Sequence, residues 1–117
     1  MKTHIRYRDI SSREGVEREL RRQTAKLNRH LKKFEPDLVD LHVSLERRVQ
    51  PTRPFLASVT LSLPPGQLHA SESGPEAVPA LKHAFAELWR EVKKLKAKLQ
   101  RKKEMRRGSL RRPSVPV

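Results

Sequence analysis

The sequence contains no cysteine, so neither a disulfide framework nor a thiolate metal site is available to it. Its four glycines are never adjacent, which leaves no glycine-rich loop to cradle a phosphate. Aromatic residues make up only 4% of the chain, too few for a platform on which single-stranded bases stack. No apolar run approaches the roughly 18 residues needed to span a bilayer. The N-terminal segment MKTHIRYRDI also lacks the apolar stretch of a secretory signal. The expected compartment is therefore the cytoplasm. Acids are scarce as well: 13 Asp and Glu stand against 27 Lys and Arg, a formal net charge of +14 in 117 residues. Self-repulsion of that size opposes a compact state unless an anionic partner neutralises it. The length allows one domain with a single modest core.

The apolar pattern organises the chain. In residues 1–10, Thr3, Ile5 and Tyr7 alternate with Lys2, His4, Arg6 and Arg8, which predicts a half-buried strand. Ser11-Ser12-Arg13-Glu14 has the form of a capping box and predicts a helix start. Val16, Leu20, Thr24, Leu27, Leu31 and Phe34 follow at gaps of three or four, one apolar stripe that Pro36 should end near Glu35. Strands are expected over 39–46 and 55–63, with a Pro64-Pro65-Gly66 turn leading to a short strand over 67–72. Ser73-Gly74-Pro75-Glu76 forms a second capping box. Val78, Leu81, Phe85, Leu88, Val92, Leu95 and Leu99 then mark a long helix to about Glu104. Residues 105–117, with four arginines, Gly108, Pro113 and Pro116, read as a flexible basic tail. The expected fold is α+β, β-α-β-β-β-α, with two helices packed on one face of a four-stranded sheet and residues 1–104 as the domain.

Charge is placed as well as abundant. Arg22, Lys26, Arg29 and Lys33 recur at spacings of four, three and four, roughly opposite the first apolar stripe. Arg90, Lys94, Lys98 and Arg101 do the same on the second helix, with Lys93 on the flank. Merely solvated helix faces mix signs, because like charges at i,i+4 cost about 0.2–0.5 kcal/mol per pair. Here Arg22/Lys26, Arg29/Lys33, Arg90/Lys94 and Lys94/Lys98 are all like-charged. The pattern points to a surface for a polyanion. Lipid fits poorly, since an interfacial helix needs a free apolar face and both stripes here are needed to cover the sheet. Trp89, at the edge of its stripe, reads as a core-margin residue. Phosphate recognition of RNA from the helical side fits better.

Nothing points to catalysis. Of the five histidines, His4, His42 and His69 lie on separate strands and His30 and His83 on helices, none at a ligand spacing. Ser71 and Ser73 flank Glu72 without the surroundings of a nucleophile elbow. The expectation is a binding protein with no metal, cofactor or small-molecule substrate.

Three segments resemble one family. Gly66-Gln67-Leu68-His69-Ala70-Ser71-Glu72-Ser73-Gly74 is similar to the G-x-x-H-A-x-x-x-G segment of the ribosome hibernation-promoting factors. That family includes the ribosome-associated inhibitor and the sigma-54 modulation proteins. Residues 88–99, LWREVKKLKAKL, resemble its L-x-R-Q-L-x-K-x-K-x-K-L pattern, and Ala25-Lys26-Leu27-x-x-His30 its A-K-L-x-x-Y stretch. The resemblance implies a fold like a double-stranded-RNA-binding domain with an added strand. It also implies docking in the small-subunit channel where mRNA and tRNA pass, as a monomer off the ribosome. The RNA contacts it implies are Lys26, Arg90, Lys93, Lys94, Lys96 and Lys98. Two departures stand out, Glu87 and Gln23, each where the family usually carries Lys. The separate C-terminal dimerisation domain of the family's long members is not expected here, so the chain looks like a short form. A general RNA-binding module and a protein-interaction modulator of sigma-54 transcription are the alternative readings.

Overall fold

The computed structural model describes residues 1–111, with side chains described through residue 102. The elements are β1 (Lys2–Arg8), α1 (Glu14–His30), a short 3-10 turn (Pro36–Leu38), β2 (Asp40–Arg47), β3 (Phe55–Leu63), β4 (Gly66–Gly74) and α2 (Ala77–Arg111). The sheet order is β1-β2-β3-β4. β1 pairs in parallel with β2, with Lys2 opposite Asp40, so α1 serves as the crossover between them. β2, β3 and β4 form an antiparallel meander. This is the expected β-α-β-β-β-α order.

Period-two alternation decides which sheet face is dry. Leu41, Val43 and Leu45 on β2, Ala57, Val59, Leu61 and Leu63 on β3, and Ala70 on β4 are buried on one side. His42, Ser58, Thr60, His69 and Ser71 occupy the other side, which no element among the described residues covers. Both helices lie on the dry side. Val16, Leu20 and Leu27 of α1 join Leu81, Ala84, Phe85, Leu88 and Val92 of α2 in one core with the sheet.

The helices run side by side in the same direction. Near their starts a Cβ on Gly15 would lie 3.6 Å from Val78 Cγ2, and near the end of α1 the Lys96 ammonium donates to the His30 carbonyl at 3.0 Å.

Element boundaries depart from expectation in four places. First, α1 begins at Glu14 with Arg13 as N-cap and no side-chain cap bond, so Ser11 does not close a capping box. The first turn instead carries Glu14 and Glu17, whose charges favour the helix N-terminus. Asp9, in the left-handed region at φ 56°, turns the chain out of β1, a conformation Asp tolerates better than most residues. Second, α1 stops at His30, where the Leu31 amide still bonds to the Leu27 carbonyl. Residues 31–35 are spent reversing the chain towards β2, so Lys33 lies beyond the helix. Leu31 and Phe34 keep their apolar contacts from that turn. Third, Ser73 is not a cap, because β4 continues through it opposite Leu56, and α2's first bond runs from the Ala80 amide to the Glu76 carbonyl. Fourth, α2 continues past Glu104 to Arg111. Strong helix formers outweigh the roughly 1 kcal/mol cost of Gly108. The remainder of the expected tail, 112–117, lies outside the described residues.

β1 is also wetter than its pattern suggests. Ile5 remains 43% exposed and only Tyr7 is partly buried, because an edge strand has helix cover on one flank alone. The two sites should therefore respond differently to truncation. Phe85, fully buried, should cost about 3–5 kcal/mol on Phe85→Ala, whereas Ile5→Ala should cost less than about 1 kcal/mol. Urea denaturation of the two variants measures the contrast.

Candidate nucleic-acid interface

The same faces of α1 and α2 that meet each other position the charge. Along α1, Glu19, Gln23, Lys26 and His30 recur at four, three and four, beside the apolar stripe and towards α2. Along α2, Trp89, Lys93 and Lys96 recur at four and three on the matching side. At the start of the seam, Glu19 and Gln23 are nearly buried and tied together, the Gln23 amide donating to Glu19 Oε2 at 2.7 Å. Arg22 donates to the same oxygen at 3.3 Å.

Trp89 is the centre of the seam. Its ring is 6% exposed, which agrees with a core-margin position. The Lys26 ammonium stands over that ring, 4.6 Å from the centroid, a cation–π contact. The His30 ring meets it edge-on, 4.7 Å between centroids. Lys96 binds the His30 carbonyl, and the groove beyond is lined by His30, Lys33, Phe34, Lys96 and Leu99. Lys33 thus joins the surface although it left the helix.

The His30 imidazole senses this crowding. Its pKa is lowered, first by loss of water on the packed side and then by the positive charges of Lys96, Arg29, Lys26 and Lys93. Lys26 of α1 and Lys96 of α2 thus meet at this exposed histidine and the Trp89 ring beside it, an arrangement an anion would neutralise.

The other expected contacts are not brought together in this way. Arg90, Lys98 and Arg101 are exposed along the outer side of α2. Lys94 lies there too, 3.5 Å from Glu91 and partly neutralised by it. Farther round, Glu87 shares a hydrogen bond with Glu72 of β4. That bond, partial burial and the Glu72 charge raise the Glu87 pKa, with Arg90 and His83 opposing. Glu72 and Glu87 thus place an acidic pair on this flank. All ten expected residues lie at the surface, nine of them fully exposed and Lys96 half-buried.

Sequence reasoning passed over His30 and Glu19 and gave Trp89 no part in the site. Their signal was present in the four-three-four spacing beside each stripe, which marks the residues of one helix that meet its neighbour. On the open sheet face, the His4 and His42 rings stack at 4.5 Å and Thr60 Oγ1 lies 2.8 Å from His69 Nδ1. These histidines satisfy one another or their neighbours. Among the described residues no group of side chains forms a metal site, and no helix is long and apolar enough to cross a membrane.

The family model described as Sigma 54 modulation protein / S30EA ribosomal protein matches residues 3–100. No curated protein matches the sequence. Among solved structures, the N-terminal domain of Protein Y from Thermus thermophilus is similar, with a TM-score of 0.65 at 18% identity, covering 81% of this chain and 99% of that one. A ribosomal subunit interface protein from Coxiella burnetii gives a TM-score of 0.61 at 12% identity, covering 83% and 99%. At such identities the likeness is one of fold.

The seam yields a direct test of its electrostatics. The His30 imidazole should titrate below its ordinary value of 6.5, followed by its ring proton shifts. Lys96→Met should raise that pKa towards the ordinary value, because one cation is removed. An unchanged titration in the folded variant would show that the charges do not converge.

Proposed function

Because the chain belongs to the Sigma 54 modulation protein / S30EA ribosomal protein family, we propose that it associates with the ribosome and silences translation by occupying the small-subunit channel used by mRNA and tRNA. The observation that carries this reading is the exposed seam between the helices, where the Lys26 ammonium stands over Trp89 and Lys96 reaches the His30 carbonyl from the opposite helix. Ribosomal RNA presents closely spaced phosphates, and two parallel helices present ammonium and guanidinium groups side by side. Arg22, Lys33, Arg90, Lys94, Lys98 and Arg101 extend the contact on either side. Residues 1–104 serve as the binding domain.

The mechanism is occupancy. No bond is made or broken, and no cofactor is called for. Each phosphate contact releases counterions, so affinity is steep in salt and orientation comes from the rigid helix pair. A protein of net charge +14 approaches such a target rapidly and gains stability from neutralisation. The reading places the chain in the cytoplasm, monomeric until it meets the subunit, where like charge keeps copies apart.

Binding to purified small subunits over a salt series tests the proposal. Lys26→Glu with Lys93→Glu should weaken binding strongly and lower the log–log salt slope by about 2. Arg90→Glu with Lys94→Glu should weaken it less, since Lys94 is already paired with Glu91. Subunits carrying mRNA and initiator tRNA should resist the wild-type protein. Equal binding to empty and filled subunits, or unchanged affinity in the folded seam variant, would refute the reading.

A further inference from the structure

A second surface lies across α1 from the seam. β1 is an edge strand, and among the described residues its outer side has no neighbouring strand. The Lys2 amide bonds to the Val39 carbonyl of the β2 side. In a parallel pair the inward and outward groups alternate, so Lys2, His4 and Arg6 bond to β2 and Thr3, Ile5 and Tyr7 turn their amides and carbonyls outward. The same three residues line a cleft between β1 and α1, together with Leu20 and Thr24. Ile5, 43% exposed, is among the most exposed large apolar side chains of the described residues. At the cleft's end the Tyr7 hydroxyl is buried with no hydrogen-bond partner among the described residues.

We propose that the outer edge of β1 and the cleft beside it take an extended peptide in which apolar and acidic residues alternate. The backbone of such a peptide would pair with Thr3, Ile5 and Tyr7 as a fifth strand. Its apolar side chains would fall on the helix side, against Ile5 and Leu20. Its acidic side chains would fall on the open sheet face, beside the row of Lys2, Arg6 and Arg8; Asp40 and Glu46 of β2 stand opposite Lys2 and Arg8 in the register, which leaves Arg6, opposite Ser44, as the cation with no facing acid. That row also excludes a second copy of this chain, since pairing β1 with β1 would set cation against cation. RNA is the poorer occupant because the cleft is apolar and its one cation, Arg21, is accompanied by Glu17. The partner is therefore a strand-forming acidic segment of another protein, bound independently of the helical seam.

Amide hydrogen exchange followed by NMR tests this with a short synthetic peptide alternating Glu and Val. The amides of Thr3, Ile5 and Tyr7 should gain protection, while those of Lys2, His4 and Arg6, already bonded, should change little. Ile5→Lys should weaken the peptide about tenfold without loss of fold, since the site is half exposed. Arg6→Glu should weaken it too, but should not weaken the same peptide with Gln in place of Glu. The proposal is overturned if those three amides stay unprotected, or if a peptide interrupted by proline binds as well. It also fails if oligouridylate protects the same amides, or if they are protected by self-association of the protein alone.

Discussion

Two helices that carry rows of positive charge must be held side by side, and the rest of the helical face depends on that. Each like-charged neighbour pair works against the packing by a few tenths of a kcal/mol, and the rows on α1 and α2 also repel across the seam. The apolar layer beneath supplies the opposing force. Phe85, Leu88 and Val92 of α2 and Leu20 and Leu27 of α1 are almost wholly removed from water, each contributing about 1.5–3 kcal/mol by burial. Trp89 then turns part of the repulsion to use. Its ring takes the Lys26 ammonium on its face and the His30 ring on its edge, while Lys96 spends its charge on a carbonyl of the opposite helix. Cations are thereby brought close without an intervening acid, and the field they leave is directed outward.

The fold was legible because it follows from apolar spacing alone. Alternation along β2 and β3 and the three-four stripes of both helices are enough to place one helical layer on one sheet face. Proteins only 18% and 12% identical share the architecture. What spacing does not carry is where a chain stops. Ser11 and Ser73 have the chemistry of caps, yet the backbone at Ser73 is committed to β4 and Ser11 lies two residues before the N-cap Arg13. The end of α1 at His30 follows from the need to start β2 in register with β1, a constraint that spans the sheet and is absent from any local window.

The candidate surface was legible in outline and not in emphasis. Helical periodicity finds residues that share a face, so it found the outer rows. It treats each helix alone, and the seam is a property of the pair. Lys96 sits near the edge of α2's stripe and escapes any search for residues opposite that stripe, although it makes the clearest contact between the helices. Glu87, where a cation is usual in the resembling family, becomes intelligible beside Glu72. The two acids mark the flank on which the positive surface ends.

The absence of cysteine makes the central claim open to a direct measurement, because a single introduced thiol is unique in the chain. A short photo-crosslinker can be attached at Lys93→Cys, in the seam, or at Ser71→Cys, on the open sheet face, and the protein bound to small subunits. The account predicts crosslinks to ribosomal RNA from position 93, lost at high salt and when mRNA and tRNA fill the channel. Crosslinking to RNA from position 71 with none from position 93 would contradict it.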